Sequence, residues 1–200
     1  EASLDLQSQG FPVEAIALDV NDGASIREAA AEVQRRHGRL DILVNNAGIL
    51  IDDAALKPSQ QSLETWRATF ETNLFAVVEV TRAFLPLLQA APSARIVNVS
   101  SILASLALHV DPSSPIYGIK LPAYNASKSA LNAFTVHLAW ELRETAIKVN
   151  AIHPGAVKTD MNPGAQMDVV DGARSSVAMA LLDDDGPTGT FTHLGEPLPW

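Results

Sequence analysis

Apolar residues fall into two kinds of stretch. Short runs that are apolar at nearly every position alternate with longer segments in which apolar residues return every three or four positions. FPVEAIALDV (11–20), LDILVNNAG (40–48), ARIVNVSS (94–101), KVNAIHPG (148–155) and GTFTHL (189–194) predict strands. EASLDLQSQG (1–10), SIREAAAEVQRRHG (25–38), 63–89, the segment around AYNASKSALNAF (123–134) and DVVDGARSSVAMALLDD (168–184) predict helices. The helix at 25–38 closes on a glycine with basic residues in its last turn, as the helix dipole favours. Pro86 predicts that the long helix kinks or stops near residues 82–85. The proline-rich stretch HVDPSSPIYGIKLP (109–122) predicts a surface loop. Strands alternating with helices, and apolar on both sides, imply an α/β protein. The expected architecture is a doubly wound parallel sheet in three α/β/α layers, with 1–200 as one domain.

In such sheets ligands bind beyond the carboxyl ends of the strands. Those ends carry DVND, NNAG, VSS and HPG, so four polar turns should converge on one edge.

Composition narrows the choice. The 200 residues are 47% apolar, enough for an ordinary core, and the net charge is −9. That charge argues against nucleic-acid and anionic-membrane partners, which call for clustered Lys and Arg. No apolar run is long enough to span a bilayer. There is no cysteine, which excludes disulfides, thiolate metal sites and cysteine nucleophiles and suits a cytoplasmic setting. The five histidines lack metal-ligand spacing, so no metal is expected. The acidic run 183–185 reads as a solvated helix end.

Tyr124 and Lys128 stand at i and i+4, on one face of a helix. A cation about 4 Å away, at an effective dielectric of about 20, is worth roughly 4 kcal/mol. That could bring a phenol from its ordinary value near 10 down to about 7, where it exchanges protons usefully. The spacing alone is common. Tyr117 and Lys120 form a nearby pair one residue too close and inside the loop, and are set aside. Ser100 and Ser101 end one strand, Asn45 to Gly48 end another, and Asn73 is a lone amide in an apolar helix.

DV (19–20), NNAG (45–48), Asn73, VNVSS (97–101), YNASK (124–128) and PGAVKT (154–159), in this order, resemble the short-chain dehydrogenase/reductase family over nearly the whole chain. The tail GPTGTF, ending in Trp200, resembles the carbonyl-reductase branch. The resemblance implies a Rossmann-like fold and hydride transfer between a nicotinamide and a small-molecule carbonyl or alcohol, with NADP(H) preferred over NAD(H). It implies Tyr124 as proton donor and acceptor, and Lys128 as the cation that lowers the phenol and holds the ribose. Ser101 would hold the substrate oxygen, and Asn73 a water leading to Lys128. Asp19 and Val20 would border the adenine. Asn45, Ala47 and Gly48 would line the cofactor, and Pro154, Gly155, Val157 and Thr159 would enclose the nicotinamide.

Two departures stand out. The 200 residues contain no glycine-rich G-x-x-x-G-x-G turn, so the family's first β-α-β unit is expected to be missing from this domain. Ser101 and Tyr124 lie 23 positions apart, so 106–122 reads as an insertion that favours a monomer over a homo-oligomer. A non-catalytic nucleotide sensor on the same fold is the alternative reading.

Overall fold

The computed structural model describes residues 2–200. The helix expected at 1–10 forms over Ala2–Ser8 (α1); its expected first residue, Glu1, lies outside the described residues. There follow α2 (Gly23–His37), β1 (Ile42–Asn45), α3 (Leu63–Phe70), α4 (Ala76–Gln89), β2 (Ala94–Val99), α5 (Leu106–Val110), α6 (Pro122–Glu141), β3 (Ile147–Ile152), α7 (Val169–Ala180), β4 (Phe191–His193) and β5 (Glu196–Pro197). The sheet runs β1-β2-β3-β4-β5 and is parallel except for the final β4–β5 pair. This is a Rossmann-like α/β fold. The register aligns Asn45 with Asn98 and Val99 with Ile152, so NNAG, SS and HPG leave the sheet at one edge.

Alternation along β2 sorts the core. Ala94 and Ile96 face α4 and α6, where Leu88, Leu138 and Leu142 cover them. Val97 faces the other way, onto Met179 of α7. A polar seam crosses the sheet on the α4 and α6 side. Asn45 Nδ2 donates to Asn98 Oδ1 (2.9 Å) and to Thr81 Oγ1 (3.2 Å), and Asn98 Nδ2 donates to Thr135 Oγ1 (2.9 Å). These amides satisfy one another, as burial requires.

Four elements differ from the sequence pattern. Residues 11–19 form no strand; the segment has no sheet partner among the described residues and is mostly exposed. Ile16 and Val20 nevertheless pack beside the Ile26–Phe84 cluster, which explains the apolar pattern without a ladder. On β1, Ile42 and Val44 remain 36% and 40% exposed, so the second face is covered over β2 and β3 but open over β1. Pro86 does not end its helix. It sits three residues before Gln89, where the bond its missing N–H would have made lies in the last turn, while the long helix instead widens into a π-helical turn at Glu71–Phe75. The acidic run is not simply solvated either: Asp184 accepts from the buried Arg95 guanidinium at 2.9 Å, which holds its carboxyl below the usual range. Arg95 also donates to Leu182 O (2.8 and 2.6 Å), tying the end of α7 to β2.

Candidate active site

Tyr124 lies on the first turn of α6, which opens on Pro122 at a position that needs no backbone donor. No side chain at the helix's own N-cap, Leu121, accepts from that turn. The acceptor comes from the loop after β1: Asp52 Oδ1 takes Ala123 N–H (2.9 Å) and Oδ2 takes Tyr124 N–H (3.0 Å). The Tyr124 side chain is 8% exposed. Ser101, at the end of β2, faces the phenol, and its hydroxyl also accepts from Leu103 N–H at 3.2 Å. Ser100 points elsewhere and donates to Asn132 Oδ1 at 2.7 Å.

One turn along α6, Lys128 is 4% exposed. Its Nζ donates to Val99 O at 2.8 Å and lies 5.8 Å from the centre of the Tyr124 ring. Here the structure corrects the expected electrostatics. Burial pushes the Tyr124 phenol up from its ordinary value, opposed by the Ser101 hydroxyl, and Lys128 does not bring it down. Burial likewise pushes Lys128 down to about 8. Both groups lose hydration on burial, which disfavours the charged form of each.

Asn73 sits in the π-helical turn with no exposure. Its Oδ1 accepts from Ile49 N–H (2.8 Å), and its Nδ2 donates to Ile49 O (2.9 Å) and Ser127 Oγ (3.0 Å). Ser127 Oγ in turn donates to Tyr124 O at 2.8 Å. Tyr124, Lys128, Ser101 and Asn73 thus meet at one edge of the sheet, held to it by β2, α6 and the π turn.

The residues expected around a cofactor divide. Ala47 is exposed and Gly48 half-buried beside Lys128: a Cβ on Gly48 would stand 3.2 Å from Asn73 Oδ1 and 3.4 Å from Lys128 Nζ. Asn45 instead spends its amide inside the sheet. Asp19 is exposed and holds its own turn, accepting from Asn21 N–H at 2.9 Å, while Asn21 Oδ1 accepts from Thr72 Oγ1 at 3.2 Å. Val20 turns toward the α2–α4 cluster. Pro154, Gly155, Val157 and Thr159 lie in the loop that leaves the carboxyl end of β3, with Val157 against Gly172 of α7. Gly155 adopts φ 99° with Met167 against it, so a Cβ there would meet Met167 Sδ at 2.6 Å. Val157 bridges to Met167, and Thr159 to Asn162. Next to this loop, burial pushes His153 down to about 4, assisted by the neighbouring His193 ring.

A dinucleotide fits one half of this edge. Lys128 uses one of its three N–H groups on Val99 O, and bare backbone at Gly48 leads to it, which suits ribose hydroxyls. The pyrophosphate end has no glycine-rich turn to receive it in these 200 residues. Two surface grooves, one along Glu14, Ile16 and Arg36 and one along Leu106, Asn132 and Trp200, include none of the four central side chains. The convergence of hydroxyls and ammonium, rather than surface depth, marks the site. Sequence reasoning missed Asp52. The available signal was negative: Leu121-Pro122 opens a 20-residue helix with no capping side chain of its own.

This fold and this edge belong with known proteins. The family described as short chain dehydrogenase matches residues 1–169, and the chain belongs to that family of oxidoreductases. Among curated relatives, the short-chain dehydrogenase anuI of Penicillium roqueforti is 39% identical over 82% of this chain and 66% of its own length. Salutaridine reductase of Papaver bracteatum is 33% identical over 90% of this chain and 77% of its own length. Among solved structures, NADPH-bound carbonyl reductase from chicken fatty liver is 30% identical with a TM-score of 0.78, covering 98% of this chain and 81% of that one. The chain thus spans about two thirds of anuI and about three quarters of salutaridine reductase. No helix among the described residues is long and apolar enough to cross a membrane.

Proposed function

We propose that the protein reduces a small-molecule carbonyl, or oxidises the corresponding alcohol, with NADP(H) in preference to NAD(H). The observation that carries this reading is the Ser101 hydroxyl facing the Tyr124 phenol, with the Lys128 ammonium one turn behind it. When bound, the nicotinamide supplies the hydride. Ser101 holds the carbonyl oxygen by a hydrogen bond. Tyr124, protonated at neutral pH because burial holds its phenol high, gives that oxygen its proton as the carbonyl becomes an alcohol. Lys128 keeps a positive charge beside the phenolate left behind and offers its free N–H groups to the ribose. In the oxidative direction the phenolate takes the proton back, and its high value makes that direction favour alkaline pH. Both Asn73 Nδ2 hydrogens are spent on Ile49 O and Ser127 Oγ, while Oδ1 accepts from Ile49 N–H and keeps a second lone pair for a water leading to Lys128. Pro154, Gly155, Val157 and Thr159 enclose the nicotinamide side, and Ala47 and Gly48 the ribose side. The preference for NADP(H) is supported by the NADPH carried by the carbonyl reductase above.

The test is transfer of label from (4-²H)NADPH to a panel of aldehydes, ketones and quinones. Deuterium in the alcohol carbon supports the reading. Tight binding of NADPH without transfer to any substrate favours the nucleotide sensor. The insertion lies along α6, with His109 Nε2 within 3.1 Å of Asn125 Nδ2 and Lys120 Nζ donating to His109 O at 3.2 Å. This supports a monomer, and light scattering showing a dimer or tetramer contradicts it.

A further inference from the structure

We propose that Asp52 is a positioning residue for Tyr124, linking the loop that borders the cofactor side to the helix that carries the proton donor. The inference rests on the proton-transfer role given to Tyr124 above. Three facts carry it. First, Asp52 accepts from Ala123 N–H and Tyr124 N–H at 2.9 and 3.0 Å, the two donors a local N-cap would take, from a loop 71 residues earlier in the chain. Second, that loop is itself pinned: Ile49 is held at both N–H and C=O by Asn73, and Gln61 Nε2 donates to Asp53 O at 2.6 Å while Gln61 Oε1 accepts from Asp53 N–H at 3.2 Å. Third, Asn73 also reaches Ser127, whose hydroxyl donates to Tyr124 O. The Tyr124 main chain is therefore gripped at its N–H by Asp52 and at its C=O through Ser127, both traced back to the segment following Gly48. The placement of the Tyr124 main chain, and with it the phenol, follows from these bonds rather than from the helix alone.

An ordinary helix cap would behave differently, and one second-site change separates the two. In the full chain, Asp52→Ala removes both acceptors, and Asp52→Asn leaves one. Leu121→Ser in the Asp52→Ala background restores a local cap without restoring the link to the loop. We expect Asp52→Ala to lower kcat about 10- to 100-fold, since a displacement of about 1 Å costs on that order. The KM for NADPH should stay within about threefold. Asp52→Asn should fall between. Leu121→Ser should bring back the melting temperature but not kcat. A readout independent of turnover is available because the chain has two tyrosines. In protein carrying ¹³C at tyrosine Cζ, the signal assigned to Tyr124 by Tyr124→Phe should move in Asp52→Ala and stay moved with Leu121→Ser, while that of Tyr117 stays in place. Unchanged kcat in Asp52→Ala, or full recovery with Leu121→Ser, overturns the proposal. If the unaltered protein turns over no carbonyl, the enzyme reading fails, and the Tyr124 signal alone decides: an unmoved signal in Asp52→Ala overturns the positioning role.

Discussion

Burying Lys128 works against folding at neutral pH. Its amine titrates near 10.5 when hydrated and near 8 in the fold, with Val99 O as its partner. The folded state binds fewer protons than the unfolded chain between pH 8 and 10.5, so stability rises with pH through that window and the full penalty stands below it. The difference corresponds to about 3 kcal/mol. Lys128→Met should therefore raise the melting temperature at pH 7, flatten the rise above pH 8 in a thermal-melt series, and abolish turnover. A variant less stable than the parent at pH 7 would mean that the ammonium earns more from its surroundings than this account allows. Retaining so costly a cation accords with the proton-transfer role proposed for this site. The Tyr117–Lys120 pair shows the contrast: Lys120 lies 5.1 Å from the Tyr117 ring centre and Tyr117 is 45% exposed, on the surface rather than beside the buried Tyr124 and Lys128.

At the scale of elements, the site depends on the π turn that interrupts the long α3–α4 helix. The extra residue turns Asn73 into the gap between the NNAG loop and α6, where it makes three hydrogen bonds. Asn73→Ala leaves Ile49 and Ser127 without those partners in a buried site. The expected loss is about 2–4 kcal/mol of stability by denaturant titration, with turnover falling as well; a loss below about 1 kcal/mol would show that the amide is dispensable. The positions of NNAG, VSS and YNASK were legible in the sequence because each follows from a local pattern: an apolar run ending in polar residues, or an i, i+4 pair. What could not be read depends on distant partners. Residues 11–19 have a strand's composition, but a strand exists only against a neighbour. Asp52 looks like any loop carboxylate until α6 is brought to it from 71 residues away. The π turn leaves an apolar pattern that still reads as continuous helix. The rise of the phenol's pKa came from burial, whereas the spacing revealed only the neighbouring charge.

For the whole molecule, stability should be uneven. β2 and β3 are flanked on both sides by strands and packed between α4, α6 and α7, with Ile96, Val97 and Val149 almost wholly buried. Residues 11–19 make no ladder, α1 buries no residue, and β1 has an open face. Amide exchange of the 200-residue chain should find β2 and β3 the slowest to open and 11–19 exchanging within seconds. Protection of 11–19 equal to that of β2 would contradict the arrangement described. The same asymmetry bears on the proposed site: Tyr124 and Lys128 stand on α6 and Ser101 just past β2, in the best-packed part of the fold, while these residues contain no glycine-rich turn.

The central claim is that the Tyr124 hydroxyl delivers the proton. The most direct measurement compares Tyr124→Phe with the parent protein, following NADPH oxidation on the best carbonyl substrate and NADPH affinity by fluorescence. The account predicts a fall in kcat of about 10²- to 10⁴-fold with affinity unchanged within a few-fold. Turnover within a few-fold of the parent, at undiminished affinity, would contradict it.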